Sequence, residues 1–342
     1  MDSSLASMPQ RMHLSSDENL NQTHNQQEPI MKAVRVSKDA STASLAIAEI
    51  PKPTPASGEL LVKIKASFIQ PADILNSKGS FPITTFPRTI GKDFSGTVIS
   101  GSPDWINTDV YGTSGSTFSF TEDGAQAEFA VLREDCVAVK PGNLSFAQAA
   151  AVGTPFTTAF TALKRARVVE REVVMVLGAT GAVGSAVVQI AKSMGCRTIT
   201  VGRHGTDVDS TKDPELQSAK DLSDGKGPDV VVDTVGDFAL TKAAFNVLAP
   251  KGRLSTITAP RQGSTELAVD ILSLYRRQIE LIGCNTASMP QADFARMMEG
   301  MTQQFESGAL TAPEESTMTK ISIDDAPDAY SGKIKRAVIV FE

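Results

Sequence analysis

A glycine-rich heptapeptide is the stretch of this sequence with the clearest chemical meaning. An apolar run over 173–177 precedes it and helical apolar spacing over 182–194 follows it, which is the strand–loop–helix context that dinucleotide binding requires. Gly181 lets the backbone approach a pyrophosphate, and the next helix offers unpaired N–H groups and a positive dipole end. The loop predicts dinucleotide binding, the alternative being an ordinary strand-to-helix turn. Its residues are Gly178, Ala179, Thr180, Gly181, Ala182, Val183 and Gly184.

The end of the next strand indicates which dinucleotide would bind. NAD binders usually place Asp or Glu about 20 residues after the glycines, where it accepts hydrogen bonds from the ribose 2′-hydroxyl. Here the strand ends in Gly202, Arg203 and His204, and the first acidic residue is Asp207. A guanidinium pairs with a 2′-phosphate through charge-assisted hydrogen bonds, whereas a carboxylate would repel it. We therefore predict NADPH as the cofactor, the alternative being that Arg203 is a solvated surface charge.

The composition argues against several other classes of function. A net charge of −6 and a pI near 5.3 are unfavourable for a nucleic-acid-binding surface. No stretch approaches the ~20 apolar residues of a membrane-spanning helix. The three cysteines, Cys136, Cys196 and Cys284, lie far apart, which argues against a disulfide framework or a zinc site. This pattern suits a reducing, cytoplasmic compartment. Only His204 lies outside the polar N-terminal stretch, so a metal site or Ser-His-Asp triad is hard to assemble.

Strands alternate with helices after about residue 145. The run Val173–Leu177 is continuously apolar, as expected of a central parallel strand that is covered on both faces. This alternation predicts an α/β fold with a Rossmann-type, doubly wound parallel sheet. Further strands are expected at 196–201, 230–233, 253–258 and 279–282.

The part of the chain before that alternation has a different texture. From 31 to about 140, short β-like runs are interrupted by Pro and Gly, which predicts a β-rich, barrel-like domain. A helix over 293–307 and a strand over 337–341 are expected to return to this domain. Residues 1–30 are polar and lack a hydrophobic period, a composition typical of a disordered tail.

Several stretches, in this order, resemble the medium-chain dehydrogenase/reductase superfamily and specifically its zinc-independent quinone oxidoreductase-like branch. The glycine-rich loop fits that branch's Ala-x-Gly-x-Val-Gly pattern. The run 150–159 is similar to the helix that joins the two domains, and the run 332–338 is similar to the closing strand. After the disordered tail expected from composition (1–30), the resemblance implies a GroES-like catalytic domain (31–152, rejoined by 287–342) and a Rossmann NADPH-binding domain (153–286).

The resemblance also implies cofactor contacts outside the glycine-rich loop. Thr158 on the joining helix would approach the nicotinamide, and Asn285 would lie beside it after the sixth strand. Gln70 opens a segment similar to the branch's Asn-Pro-x-Asp, which lies beside the cofactor. Val235 after the fourth strand and Lys335 before the closing strand complete the predicted cofactor-binding set.

A lysine stands where zinc-dependent relatives have a metal ligand. In those relatives a His-Glu pair follows a glycine, whereas here Gly91 is followed by Lys92 and Asp93. A lysine in that place would repel the metal, so the sequence predicts no metal site. The remaining chemistry is hydride transfer to an acceptor that is already polarised, such as a quinone or a carbon–carbon double bond conjugated to a carbonyl.

The sequence does not assign the proton donor. Some enoyl reductases of the superfamily have a tyrosine where Phe81 stands here, and phenylalanine cannot donate. Lys92 is a candidate cation for the developing oxyanion, the alternative being a structural ion pair with Asp73 or Asp93. Tyr111 is a weaker candidate, the alternative being a tyrosine that only packs. The predicted catalytic residues are Lys92, Asp73 and Tyr111.

The leading hypothesis is an NADPH-dependent, zinc-independent reductase that acts on a small quinone or α,β-unsaturated carbonyl. A narrower version is a trans-acting enoyl reductase of polyketide or other secondary metabolism. The alternative from another class is an NADPH-binding, crystallin-like protein with little catalysis. Related enzymes pair through the sheet edge that corresponds to 279–282, so we expect a homodimer, without a nucleic-acid or membrane partner.

Overall fold

The computed structural model describes residues 29–39 and 42–342. The predicted disordered tail lies outside the described residues up to position 28. The strands are β1 (Ile30–Asp39), β2 (Thr42–Pro51), β3 (Glu59–Phe68), β4 (Arg88–Thr89), β5 (Asp93–Ser100), β6 (Asp109–Gly112), β7 (Phe129–Arg133), β8 (Ala138–Val139), β9 (Val173–Leu177), β10 (Arg197–Gly202), β11 (Val208–Asp209), β12 (Val230–Asp233), β13 (Arg253–Thr256), β14 (Glu280–Gly283), β15 (Thr319–Ile321) and β16 (Ala337–Val340). The helices are α1 (Pro71–Ser77), α2 (Phe146–Arg165), α3 (Ala182–Ser193), α4 (Ser218–Asp221), α5 (Phe238–Val247), α6 (Ile271–Arg277), α7 (Gln291–Glu306) and α8 (Ala326–Tyr330).

The predicted parallel sheet is present and has six strands in the order β11-β10-β9-β12-β13-β14. All five neighbouring pairs run parallel. Alternate residues of β9 enter two different cores: Val174 and Val176 pack with residues of α2, α3 and α7, whereas Met175 and Leu177 pack with residues of α5. This coverage of both faces explains the uninterrupted apolar run, and it confirms the doubly wound α/β architecture.

A mostly antiparallel sheet forms the β-rich part of the chain. Its strand order is β15-β16-β3-β5-β6-β8, with β7 also pairing with β3, and a separate three-stranded sheet has the order β2-β1-β4. The last strand, β16, pairs antiparallel with β3, so the C-terminal segment returns to the β-rich part as predicted. This GroES-like arrangement supplies one side of the cleft that is described below.

Helix α2 joins the two sheets. The side chain of Ser145 accepts a hydrogen bond from the Gln148 N–H, and Gln148 Oε1 accepts one from the Ser145 N–H, which is a capping box. The helix packs against β3 and β5 on one side and against α3 on the other. A Cβ at Gly153 would lie 2.9 Å from Asp93 Oδ1, so this glycine permits a close approach between α2 and β5. The predicted joining helix is therefore confirmed.

Candidate functional site

The glycine-rich loop leaves β9 and enters α3 in a conformation that favours glycine. Gly178 has a φ of +75°, and its N–H donates to the carbonyl oxygen of Val201 in β10 at 3.0 Å. A Cβ at Gly184 would overlap the carbonyl oxygen of Gly178. Gly181 is the N-cap of α3 and has no side chain that could accept hydrogen bonds from the first turn. The N–H groups of that turn are therefore available to an anionic ligand.

A cavity of about 640 Å³ lies beside the loop at the carboxyl ends of the parallel strands. Gly202, Arg203 and Val235 line it together with loop residues, whereas His204 is exposed and outside its walls. Asp237 also lines it, but its carboxylate caps α5 by accepting the Leu240 N–H at 3.1 Å. Within the described part of the chain, no carboxylate lies within 4.0 Å of the Arg203 guanidinium.

A second cavity, of about 400 Å³, lies between the parallel sheet and the β-rich part. It shares Gly181 with the first cavity, so the two form one cleft along the loop. The structure therefore brings together predicted residues that are far apart in the sequence. Those that line this second cavity are Gln70, Lys92, Thr158, Gly181, Ala182, Val183 and Asn285.

Lys92 lines this cavity, although its side chain is only 5% exposed. Its ammonium nitrogen lies 4.9 Å from the ring centroid of Phe81 and 4.8 Å from that of Phe120. Burial lowers the pKa of this lysine, and the negative charges of Asp73 and Asp93 oppose that shift. Among the residues that the structure describes, none accepts a hydrogen bond from the ammonium, and no carboxylate lies within ion-pair distance of it.

Asp93 holds the wall of the cavity together from behind. This fully buried carboxylate accepts hydrogen bonds from Gln70 Nε2 at 2.7 Å, from the Thr154 N–H at 2.9 Å, and from the hydroxyl groups of Thr154 and Thr113. Burial raises the pKa of Asp93, and these hydrogen bonds oppose the shift. The donors come from α2, from the start of α1 and from the segment after β6, so one side chain fixes three separate segments.

Asp73 is also buried behind the wall. Its Oδ2 accepts the Gln70 N–H at 2.8 Å, whereas its Oδ1 has no hydrogen-bond partner among the described residues. Burial raises the pKa of this carboxyl group to about 7, and the charge of Lys92 opposes the shift. Asp73, a predicted catalytic residue, does not line the cavity, and its contact in the structure is with Gln70, which does.

Two models of known families match the chain in regions that correspond to its two parts. The model described as alcohol dehydrogenase GroES-like domain matches residues 56–142, and the one described as zinc-binding dehydrogenase matches residues 182–303. A zinc-type alcohol dehydrogenase-like protein of Schizosaccharomyces pombe is 46% identical over 304 residues, which cover 88% of this chain and 93% of that protein. The chain belongs to the medium-chain dehydrogenase/reductase superfamily.

Other relatives identify the branch of the superfamily. The quinone oxidoreductase of Lama guanicoe is 28% identical over 298 residues, covering 82% of this chain and 88% of that protein. An alcohol dehydrogenase superfamily protein from Novosphingobium aromaticivorans has a solved structure with a TM-score of 0.79 and 26% identity, covering 91% of this chain and all of that one. The chain is therefore an oxidoreductase of the quinone oxidoreductase-like branch, and its Rossmann fold binds a nicotinamide cofactor.

Within this superfamily fold, Tyr111, a predicted catalytic residue, lies away from the cleft. The residue lies in the core, where its hydroxyl donates to the carbonyl oxygen of Met298 at 2.7 Å and lies 3.2 Å from the Thr302 hydroxyl. Burial raises the pKa of this tyrosine to about 12. This position outside the walls of both cavities favours the alternative of a packing residue.

The basic segment before the closing strand contributes a different residue from the one predicted. Lys335 is exposed and does not line the cleft. Arg336 lines a third cavity, of about 290 Å³, together with Thr180, Gly181 and Ala182 of the glycine-rich loop. The sequence signal was the run of basic residues at 333–336, but only the fold shows which of them faces the loop. Ala179 is buried beneath the loop.

The side chains at the position of the superfamily's zinc do not fit that metal. The described residues contain no group of three or more His, Cys, Asp or Glu side chains that could hold a metal ion. Lys92 offers an ammonium rather than a lone pair, and the Asp93 carboxylate already accepts hydrogen bonds from protein donors.

None of the helices in the described ranges is long and apolar enough to cross a membrane.

Proposed function

We propose that this oxidoreductase uses NADPH, without zinc, to reduce a quinone or an α,β-unsaturated carbonyl. The observation that carries the proposal is the Lys92 ammonium, which lies in the wall of the cleft with no acceptor among the described residues. Because the ammonium faces the cavity and has no acceptor among the described residues, its N–H groups are free to donate to a ligand oxygen there. A carbonyl oxygen that gains negative charge during the reaction would be stabilised most strongly.

The cofactor proposal rests on the shape and charge of the cleft. The first-turn N–H groups of α3 and the Arg336 guanidinium would hold the pyrophosphate, and Arg203 would pair with the 2′-phosphate. Gln70, Thr158 and Asn285 would surround the nicotinamide ring. A structural neighbour from Sinorhizobium meliloti, with a TM-score of 0.77 and 19% identity over 92% of this chain and all of that one, is described as bound to NADP. When bound, the cofactor supplies the hydride.

The chain's own residues supply orientation, charge and a proton. The titratable side chains among the described residues that line the second cavity are Lys92, Arg261 and Cys284. Arginine stays charged, and burial raises the pKa of the Cys284 thiol, whereas burial lowers the pKa of Lys92. Lys92 is therefore the group suited to hold a proton beside the substrate oxygen and to give it up during the reaction. The Asp93 hydrogen bonds keep Gln70 and Thr154 in place around it.

NADPH oxidation measured with quinones, enones, enoyl thioesters and aldehydes tests the proposal. We expect turnover of quinones or enones, and deuteride from labelled cofactor at the β-carbon of an enone. Lys92→Met keeps the length of the side chain and removes its charge, and it should lower kcat about 100-fold with an unchanged KM for NADPH. Turnover of aldehydes alone, or full activity of Lys92→Met, would contradict the proposal.

The same measurement separates the two alternative functions. Preference for enoyl thioesters over free enones would identify an enoyl reductase of secondary metabolism. Tight NADPH binding without turnover of any acceptor would identify a cofactor-binding protein with little catalysis. The conjugated-carbonyl proposal predicts neither result.

We also propose a homodimer that forms through β14. This strand is the last of the six-stranded sheet, and Leu281 within it is 44% exposed. The neighbouring helix α6 exposes Ile271, Leu272 and Tyr275. An unpaired strand edge beside apolar side chains favours pairing with a second copy, which would continue the sheet. Sedimentation velocity should show a dimer, and a monomer at micromolar concentration would contradict this proposal.

A further inference from the structure

Two aromatic rings from separate segments enclose the Lys92 ammonium. The rings of Phe81 and Phe120 contact each other edge to face, with centroids 5.3 Å apart and an interplanar angle of 66°. Both lie within 5 Å of the ammonium nitrogen, measured to the ring centroids (4.9 and 4.8 Å), and all three side chains line the second cavity. A cation over an aromatic ring is attracted to the negative face of the ring, most strongly where water is excluded.

A buried asparagine connects the two segments that carry these rings. Asn76, in the last turn of α1, donates from its side-chain amide to the carbonyl oxygen of Ser119 at 2.7 Å, next to Phe120. Its amide oxygen accepts a hydrogen bond from the Thr84 hydroxyl, three residues after Phe81. The N–H of Thr85 also donates to the carbonyl oxygen of Phe120 at 3.0 Å. Asn76 is fully buried, so both of its hydrogen bonds are shielded from water.

We propose that Phe81 and Phe120 form an aromatic clamp that holds the Lys92 ammonium charged and in place for the substrate oxygen, and that Asn76 is a positioning residue that keeps the clamp assembled. This inference rests on the catalytic role of Lys92 proposed above. Burial by itself lowers the pKa of Lys92, and a neutral amine would stabilise an oxyanion poorly. The ring faces favour the charged form, and they also restrict a long side chain that has no hydrogen-bond acceptor among the described residues.

The clamp gives Phe81 a role that differs from that of the tyrosine found in some relatives. A tyrosine could give a proton directly, whereas the ring of Phe81 acts through the ammonium 4.9 Å away. In this arrangement phenylalanine is the suitable residue, because a hydroxyl would add a polar group to a wall that works by excluding water.

Ring-fluorinated phenylalanines introduced at position 120 test the clamp without changing the shape of the ring. Fluorine withdraws negative charge from the ring face, so the pKa of Lys92, followed by NMR of ¹⁵N-labelled lysine in the full chain, should fall stepwise by about one unit in total. Because activity requires the ammonium, the alkaline limb of kcat/KM should move to lower pH by the same amount. The same substitutions at Phe305, a buried residue outside the cavity, should change neither quantity.

The outcomes separate the clamp from the proposed function. An unchanged pKa of Lys92 after fluorination at position 120 would overturn the clamp. A lowered pKa with an unmoved alkaline limb would instead show that Lys92 is not required for turnover, and this would overturn the proposed function and leave the clamp intact.

A double-mutant cycle tests the role of Asn76. Asn76→Ala should lower kcat/KM about tenfold with little change in the KM for NADPH, and the alkaline limb should move to lower pH. In a Phe81→Leu background the same substitution should have less than a twofold effect, since residues that act through one arrangement are not additive. Additive losses, or a loss without a shift of the pH profile, would contradict the positioning role.

Discussion

The two walls of the cleft are built in different ways. The cofactor-facing wall is continuous in sequence, from Gly178 to Gly184, and its binding groups are backbone N–H groups at a helix N-terminus. The wall that faces the substrate is assembled from side chains of separate segments, among them Gln70, Lys92 and Thr154. Behind this wall the buried Asp93 accepts hydrogen bonds from Gln70 and Thr154. The first wall therefore depends on the absence of side chains, and the second depends on their interactions.

If backbone atoms form the cofactor wall, the largest effect of any substitution should come from adding one methyl group to a glycine of the loop. A Cβ at Gly184 would overlap the Gly178 carbonyl oxygen, which is backbone and cannot move aside. Gly184→Ala should therefore lower the free energy of unfolding by about 2–4 kcal/mol and abolish measurable NADPH binding.

Gly181→Ala should separate binding from folding. A Cβ there would meet only the Gly178 carbonyl oxygen, at 3.3 Å, so we expect a change of no more than about 1 kcal/mol in stability but a loss of NADPH affinity. Gly300→Ala in α7 is the matched control, because a Cβ there meets nothing within 4 Å. Urea unfolding and NADPH titration measure both effects, and equal stability of the Gly184 and Gly300 variants would argue against a backbone-made wall.

Arg203 is the side chain of the cofactor wall whose removal should have the next largest effect. Arg203→Ala should raise the KM for NADPH at least about tenfold and leave that for NADH nearly unchanged, because only NADPH carries the 2′-phosphate. Arg203→Lys should have an intermediate effect, since it keeps the charge and loses the forked geometry. Equal changes for both cofactors would remove Arg203 from the site.

The buried carboxyl groups behind the substrate wall should make the free energy of unfolding depend on pH. Burial raises the pKa of Asp73 to about 7. An unfolded aspartate titrates near pH 3.9, so between about pH 4 and 7 the folded chain binds more protons than the unfolded chain, and stability falls as pH rises. Asp73→Asn lacks this group and does not lose that stability. As pH rises from about 5 to 8, the free energy of unfolding of the variant minus that of the wild type should increase by about 1–3 kcal/mol. A difference that is the same at every pH, measured by urea unfolding, would show that Asp73 does not titrate in this range.

Sequence patterns were reliable for the parts of this protein that depend on neighbours along the chain. The strands at 173–177 and 230–233 have the predicted bounds, and the strand predicted at 253–258 ends at Thr256. The apolar runs suffice there, because a buried parallel strand needs apolar side chains on both faces. The glycine-rich loop was equally recognisable, since the close contacts that call for glycine at Gly181 and Gly184 lie within the loop itself.

The same reasoning failed where distant segments meet. Tyr111 has a polar group near the end of a strand, as a catalytic residue can. However, its hydroxyl donates a hydrogen bond to the Met298 carbonyl oxygen, which α7 supplies. Lys335 and Arg336 are adjacent and both positively charged, and only the path of the chain before β16 decides that Arg336 faces the loop. Phe120 was not singled out at all, because nothing near it in the sequence indicates that its ring lies over Lys92.

The sequence by itself thus determined the α/β architecture, the dinucleotide-binding loop and the lysine that stands in place of a zinc ligand. Each of these is encoded by residue type and short-range spacing. Only the tertiary structure decided which side chains surround that lysine and which carboxylates stay out of its reach. Those relations depend on how a 342-residue chain brings β5, α1 and the segment after β6 together, and local propensities carry no information about such distances.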